Sequence, residues 1–99
     1  MLHIYRDCQF PSQQLTQCLA MLTCDDHLLL IENGVYLVCY QHPELLALAQ
    51  TNRLSVLTDD LDARGVQAPA LYPTISMSQW VALSAQHVNS LTWAVSSSV

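Results

Sequence analysis

The side chains with the widest chemical reach in this 99-residue chain are four cysteines and four histidines. Cys8, Cys18, Cys24 and Cys39 form no C-x-x-C pair, so neither a zinc ribbon nor a dithiol redox motif is supported. Cys18 admits two readings. On the apolar face of a helix it is a small buried hydrophobe, as free cysteine commonly is. As a thiolate carrying sulfur in persulfide form it would need exposure and a lowered pKa, and spacing alone favours the buried reading. Cys8 and Cys24 fall in expected loops, and loop position alone does not make a nucleophile. Cys24-Asp25-Asp26-His27 brings a thiol near an imidazole, but the two carboxylates oppose thiolate formation there.

His3, His27, His42 and His87 show no H-x-x-H or H-E-x-x-H spacing and read as surface or strand-edge histidines. Asp59, Asp60 and Asp62 read as a solvated acidic first turn that complements a helix dipole. Gly34 and Gly65 are the only glycines, so nucleotide-cradling loops and nucleophile elbows are excluded in their usual forms. No cofactor and no metal is expected, and no active site assembles from these residues alone.

These residues need elements to hold them. Leu2 to Tyr5 reads as a short first strand. Pro11 breaks the chain, Ser12 is a candidate N-cap, and Leu15, Cys18, Leu19 and Leu22 then mark one face of a helix from Gln13 to about Thr23. Leu28 to Ile31 lacks alternation, as does a strand buried on both faces of a parallel sheet. Asn33-Gly34 is ambiguous. Between two apolar runs the pair signals a hairpin, whereas a strand-to-helix turn would make Gly34 its pivot; propensity over Val35 to Tyr40 favours the hairpin. Pro43 suits the first turn of a helix reaching about Thr51. Leu54 to Leu57 reads as an inner strand, and Thr58 or Asp59 as the cap of a short helix closed by Gly65. A short strand is expected within Leu71 to Ile75. Ser76 with Gln79 fits a capping box, opening a helix from Ser78 to Val88 with Val81, Ala85 and Val88 on one face. Strands alternating with helices give a three-layer α/β/α domain with a mostly parallel sheet of four to five strands. It is expected to span residues 1–95, with 96–99 as a frayed tail.

Composition bounds the partners. Hydrophobic residues make up 52% and charged residues 11%, against roughly 25% charged in typical globular chains. A domain this small has too few charges to cover its surface, which points to a protein partner. Three arginines against eight acidic residues give a net charge of −5, and Arg6, Arg53 and Arg64 are scattered. Direct nucleic-acid binding, which needs a basic patch, is therefore not expected. The longest apolar run is too short to cross a bilayer. The opening residues lack a secretory pattern, so a reducing, cytoplasmic setting with free thiols is expected.

Several segments together resemble the DsrH/TusB family of sulfur-relay subunits. They are the opening Met1-Leu2-His3, the block from Asp26 to Tyr36, the block from Leu57 to Val66 with its Ala63-Arg64-Gly65 ending, and Trp93 near the end. Asn33 stands where the family usually has Asp. The resemblance implies a DsrE-like fold with helices on both faces of a parallel sheet and a helix, rather than a hairpin strand, after Gly34. It implies a heterohexameric sulfurtransferase complex with DsrE/TusD-like and DsrF/TusC-like subunits, fed by small persulfide carrier proteins. The main persulfide cysteine is expected on the DsrE/TusD-type partner. Some members carry a cysteine in the first helix, which makes Cys18 the candidate carrier here. In one branch such complexes serve 2-thiouridine formation at the tRNA wobble position, in the other the oxidation of stored sulfur. The rival reading is a self-associating interaction module with no sulfur role.

Overall fold

The structure, a computed structural model, describes residues 1–8, 13–40, 42–87 and 89–93. Along the chain these form β1 (Leu2–Tyr5), α1 (Gln13–Met21), β2 (His27–Leu30), a 3₁₀ helix (Glu32–Cys39), α2 (Pro43–Gln50), β3 (Leu54–Leu57), α3 (Thr58–Ala63), β4 (Thr74–Ile75), α4 (Met77–Gln86) and β5 (Ser90–Trp93). The expected N-cap at Ser12, the helix end at Val88 and the tail 96–99 lie outside the described residues.

The five described strands make one sheet in the order β4-β3-β2-β1-β5, and every pairing is parallel. Strand side chains alternate between two cores. Tyr5, Leu28, Leu30, Leu54 and Val56 face one side, where they meet Leu15 and Cys18 of α1, Val35, Leu37 and Val38 of the 3₁₀ helix, Leu45 and Leu48 of α2, and Leu61 of α3. Leu2, Ile4, Leu29 and Leu57 face the other side and meet Trp80 and Leu83 of α4. Right-handed crossovers explain the asymmetry. Stepping from β1 to β2 to β3 keeps the connecting helices on one face, and the return past β1 to β5 puts α4 on the opposite one. The result is α/β/α, with four helical segments over one face and, among the described residues, a single helix over the other.

Two local outcomes differ from the sequence expectations, and a third decides between the two readings of Asn33-Gly34 in favour of the helix. Asn33-Gly34 does not turn a hairpin. The chain enters helix, as the family resemblance implies, but of 3₁₀ type and already from Glu32. Neither Thr58 nor Asp59 caps α3. Leu57 occupies the cap position without a side-chain hydrogen bond, and Gly65 closes the helix at φ +63°. Val81 and Ala85 do not form the buried face of α4. Both are exposed, and Trp80 and Leu83 are the residues that meet the sheet. The Ser76–Gln79 capping box does form, with Ser76 Oγ accepting from the Gln79 N–H at 3.2 Å and Gln79 Oε1 accepting from the Ser76 N–H at 2.8 Å.

Candidate functional site

In open parallel sheets ligands bind beyond the carboxyl ends of the strands, near the point where strand order reverses. Here the order reverses at β1, between β2 and β5. Just beyond the ends of β1, β2 and β3 lies a polar network. Arg6 Nε donates to Glu32 Oε2 at 2.8 Å. The Glu32 N–H donates to Asp60 Oδ2 at 2.7 Å. Arg64, one turn after Asp60 on α3, reaches Asp60 Oδ1 at 3.4 Å and donates from Nε to Asn33 Oδ1 at 3.0 Å. Glu32 holds a left-handed backbone at φ +51°, a costly conformation for a residue with a side chain. Its N–H bond to Asp60 is one of the contacts that hold it there. Both guanidiniums are engaged within the chain, so the cluster holds backbone in place and presents neither a nucleophile nor a general base.

Sequence reasoning took the acidic residues of α3 for a solvated cap. Asp60 instead joins the loop after β2 to α3. The signal was present in the Asp60–Arg64 spacing, since residues four apart share a helix face, but the Glu32 N–H that completes the contact is visible only in three dimensions.

A second network lies toward the opposite ends of the strands. The Trp93 indole N–H donates to His3 Nδ1 at 3.2 Å, which leaves the His3 proton on Nε2, facing Asp26 Oδ2 at 3.2 Å. Burial pushes the Asp26 carboxyl up. Hydrogen bonds from the Met1 ammonium, Thr23 and His3 outweigh that and hold it well below the ordinary carboxylate range. The arrangement has the order of a carboxylate–imidazole dyad, but the far imidazole nitrogen is taken by Trp93, so it offers no base to a substrate.

His27 Nε2 lies 2.8 Å from Ser55 Oγ, with the His87 ring 6.4 Å away between centroids. Burial, with added repulsion from His87 and Arg53, lowers the His27 pKa to about 4 and keeps the ring neutral. Ser55 is itself buried within β3, so a hydroxyl–imidazole contact of nucleophile–base length has no approach path for a substrate.

The cysteines are not brought together. Cys18 is fully buried against the sheet, and burial pushes its thiol up to about 12. That is the opposite of the exposure and lowered pKa a sulfur carrier needs. Cys8 is half-buried beyond β1, while Cys24 and Cys39 are exposed. Among the described residues no group of three His, Cys, Asp or Glu side chains could hold a metal ion. None of the described helices is long and apolar enough to cross a membrane.

A family model described as DsrH-like protein matches residues 8–90. The chain belongs to the DsrH-like family. Membership makes sulfur relay its functional setting. The blocks 26–36 and 57–66, on which the resemblance rested, are the two that the Glu32–Asp60 and Arg64–Asn33 contacts join. No curated protein matches the DsrH-like chain.

Proposed function

We propose that this DsrH-like chain is a supporting subunit of a heterohexameric sulfurtransferase complex in the cytoplasm. In this reading it assembles with DsrE/TusD-like and DsrF/TusC-like subunits, receives no cofactor, and serves 2-thiouridine formation at the wobble position of tRNA. The observation that carries the reading is a DsrH-like chain whose one first-helix cysteine is sealed in the core with its thiol pushed up to about 12. Persulfide transfer is thiolate attack on a sulfane sulfur along an open path. Cys18 has no such path while α1 is docked; the carrying cysteine lies, as the family resemblance implies, on the DsrE/TusD-type partner, and this chain completes the assembly.

The test is reconstitution with DsrE-like and DsrF-like subunits, followed by transfer of labelled sulfur from a small persulfide carrier protein. Transfer should require the DsrH-like chain and should survive Cys18→Ala. If Cys18→Ala abolishes transfer in a complex that still assembles, Cys18 is itself a carrier. Loss of wobble 2-thiouridine on deleting the gene supports the tRNA assignment, whereas intact 2-thiouridine with impaired sulfur oxidation transfers the chain to the oxidative branch. A stable homo-oligomer that ignores both partners would sink the reading.

A further inference from the structure

Between α3 and β4 the chain runs along the core that also holds the 3₁₀ helix and α2. Pro69, Leu71 and Tyr72 of that stretch close a pocket with Val38 and Tyr40, at the end of the 3₁₀ helix, and Leu46 of α2. Its volume is about 260 Å³. An apolar cavity of about 150 Å³ is enough to hold benzene, so a single ring with a small substituent fits. Tyr72 is 4% exposed and packs within the core. Its hydroxyl is closed to solvent and, among the described residues, has no hydrogen-bond partner. An orphaned buried hydroxyl costs stability that phenylalanine at the same place would not, so the fold itself gives no reason for the oxygen. A resident water is a poor answer. It needs about two to four polar partners, and of the lining side chains only Tyr40 and Tyr72 carry polar atoms.

We propose that this pocket binds a small neutral molecule, mostly apolar, whose single hydroxyl or carbonyl group pairs with the Tyr72 hydroxyl. Apolar walls supply the affinity and one polar group fixes the orientation, the usual division of labour in small-molecule sites. The ligand is uncharged because none of the lining side chains is charged, and a buried charge without a counter-charge is strongly disfavoured. Burial pushes the Tyr72 phenol up, so it meets the ligand as a neutral O–H that can donate or accept. Leu71, 56% exposed, and Tyr40, 41% exposed, stand at the mouth. The ligand reaches the hydroxyl when Leu71 turns aside, a rotamer change that needs no movement of the core. The site does not depend on the assembly proposed above.

Phenol and toluene are the probes, a matched pair that differs in one hydroxyl. Each is titrated into the full chain and followed by nuclear magnetic resonance at the methyl groups of Val38, Leu46 and Leu71. Both should shift those methyls in the wild type. Tyr72→Phe should weaken phenol by about three- to tenfold, the effect of one hydrogen bond, and leave toluene unchanged. The same variant should melt at or above the wild-type temperature, because it removes an unpaired group. No shift at these methyls with either probe would overturn the site. Equal changes for phenol and toluene on Tyr72→Phe, or none for either, would overturn the role of the hydroxyl. A Tm lower by about 4–8 °C with phenol binding intact would show that the hydroxyl serves the fold through an ordered water, which also overturns the proposal. Loss of phenol binding on adding DsrE-like and DsrF-like subunits would overturn the small ligand in favour of a partner's side chain.

Discussion

Gly34→Ala should be the most damaging single-methyl change in this fold, and the reason is space rather than backbone angle. Gly34 does not take a left-handed conformation, whereas Glu32 and Gly65 do. A Cβ placed on Gly34 would sit 2.5 Å from the Tyr5 carbonyl oxygen and 3.2 Å from its carbon. Those are backbone atoms at the buried end of β1, and that oxygen accepts the Ile31 N–H at 3.1 Å. To open the gap, either β1 separates from the residue after β2 or the 3₁₀ helix lifts with its buried Val35, Leu37 and Val38. Overpacking of this kind costs about 1–3 kcal/mol, and a weakened backbone hydrogen bond adds about 1 kcal/mol. Reduced freedom of the unfolded chain returns less than about 1 kcal/mol. A net loss of about 2–3 kcal/mol lowers Tm by roughly 10–20 °C in a domain this size. Gly65→Ala is the matched comparison. Gly65 sits at φ +63°, and beyond its chain neighbours no atom lies within 4 Å of where a Cβ would stand, so its cost is conformational, about 1–2 kcal/mol. Thermal unfolding followed by far-ultraviolet circular dichroism should therefore rank wild type above Gly65→Ala and Gly65→Ala above Gly34→Ala. A Gly34→Ala protein melting within a few degrees of wild type would refute the steric account.

Further outcomes follow from the networks. Asp60→Ala removes the acceptor of the Glu32 N–H and should cost about 1–3 kcal/mol; Asp60→Asn, which keeps an acceptor oxygen, should lose less in the same denaturant titration. His27 is held down at about 4 against an ordinary 6.5. A depressed histidine contributes stability above its unfolded pKa and loses it as pH falls toward the folded one, so stability should decline between about pH 6.5 and 4, and His27→Gln should flatten that window. Cys18, raised from 9.0 to about 12, has the opposite sense: its contribution is complete below about pH 9 and is lost as pH rises toward 12, a loss that Cys18→Ala should remove. Under native conditions iodoacetamide should modify Cys24 and Cys39, which are exposed, well before Cys18, which is buried, and mass spectrometry of the digested chain would show the order.

What the sequence disclosed follows the reach of its signals. Leu54–Leu57 is legible because an apolar run with turn residues before it has one compact use, the middle of a parallel sheet. The face of α1 is legible because Leu15 and Cys18 repeat at helical spacing and both end up buried. Asn33-Gly34 misleads propensity because its cause lies elsewhere: the glycine answers to the Tyr5 carbonyl, and Glu32 supplies the left-handed residue that the turn needs. β5 gives no local sign, since Ser90-Leu91-Thr92-Trp93 becomes a strand only by pairing with Leu2 to Tyr5. In α4 the Val81–Ala85 stripe is as apolar as the side that packs, so periodicity could not tell which face the sheet would take.

That last ambiguity carries the functional argument further than any motif does. A helix with apolar residues on both sides is at home between two apolar layers, and the described fold supplies only one of them, through Trp80 and Leu83. The sulfur chemistry available to this chain points the same way. With Cys18 in the core, with His3 tied to Asp26 and Trp93, and with His27 turned onto a buried serine, these three side chains serve the fold. Gly65 to Val99, which lacks Asp, Glu, Lys and Arg, is the part of the sequence whose composition is hardest to justify in water.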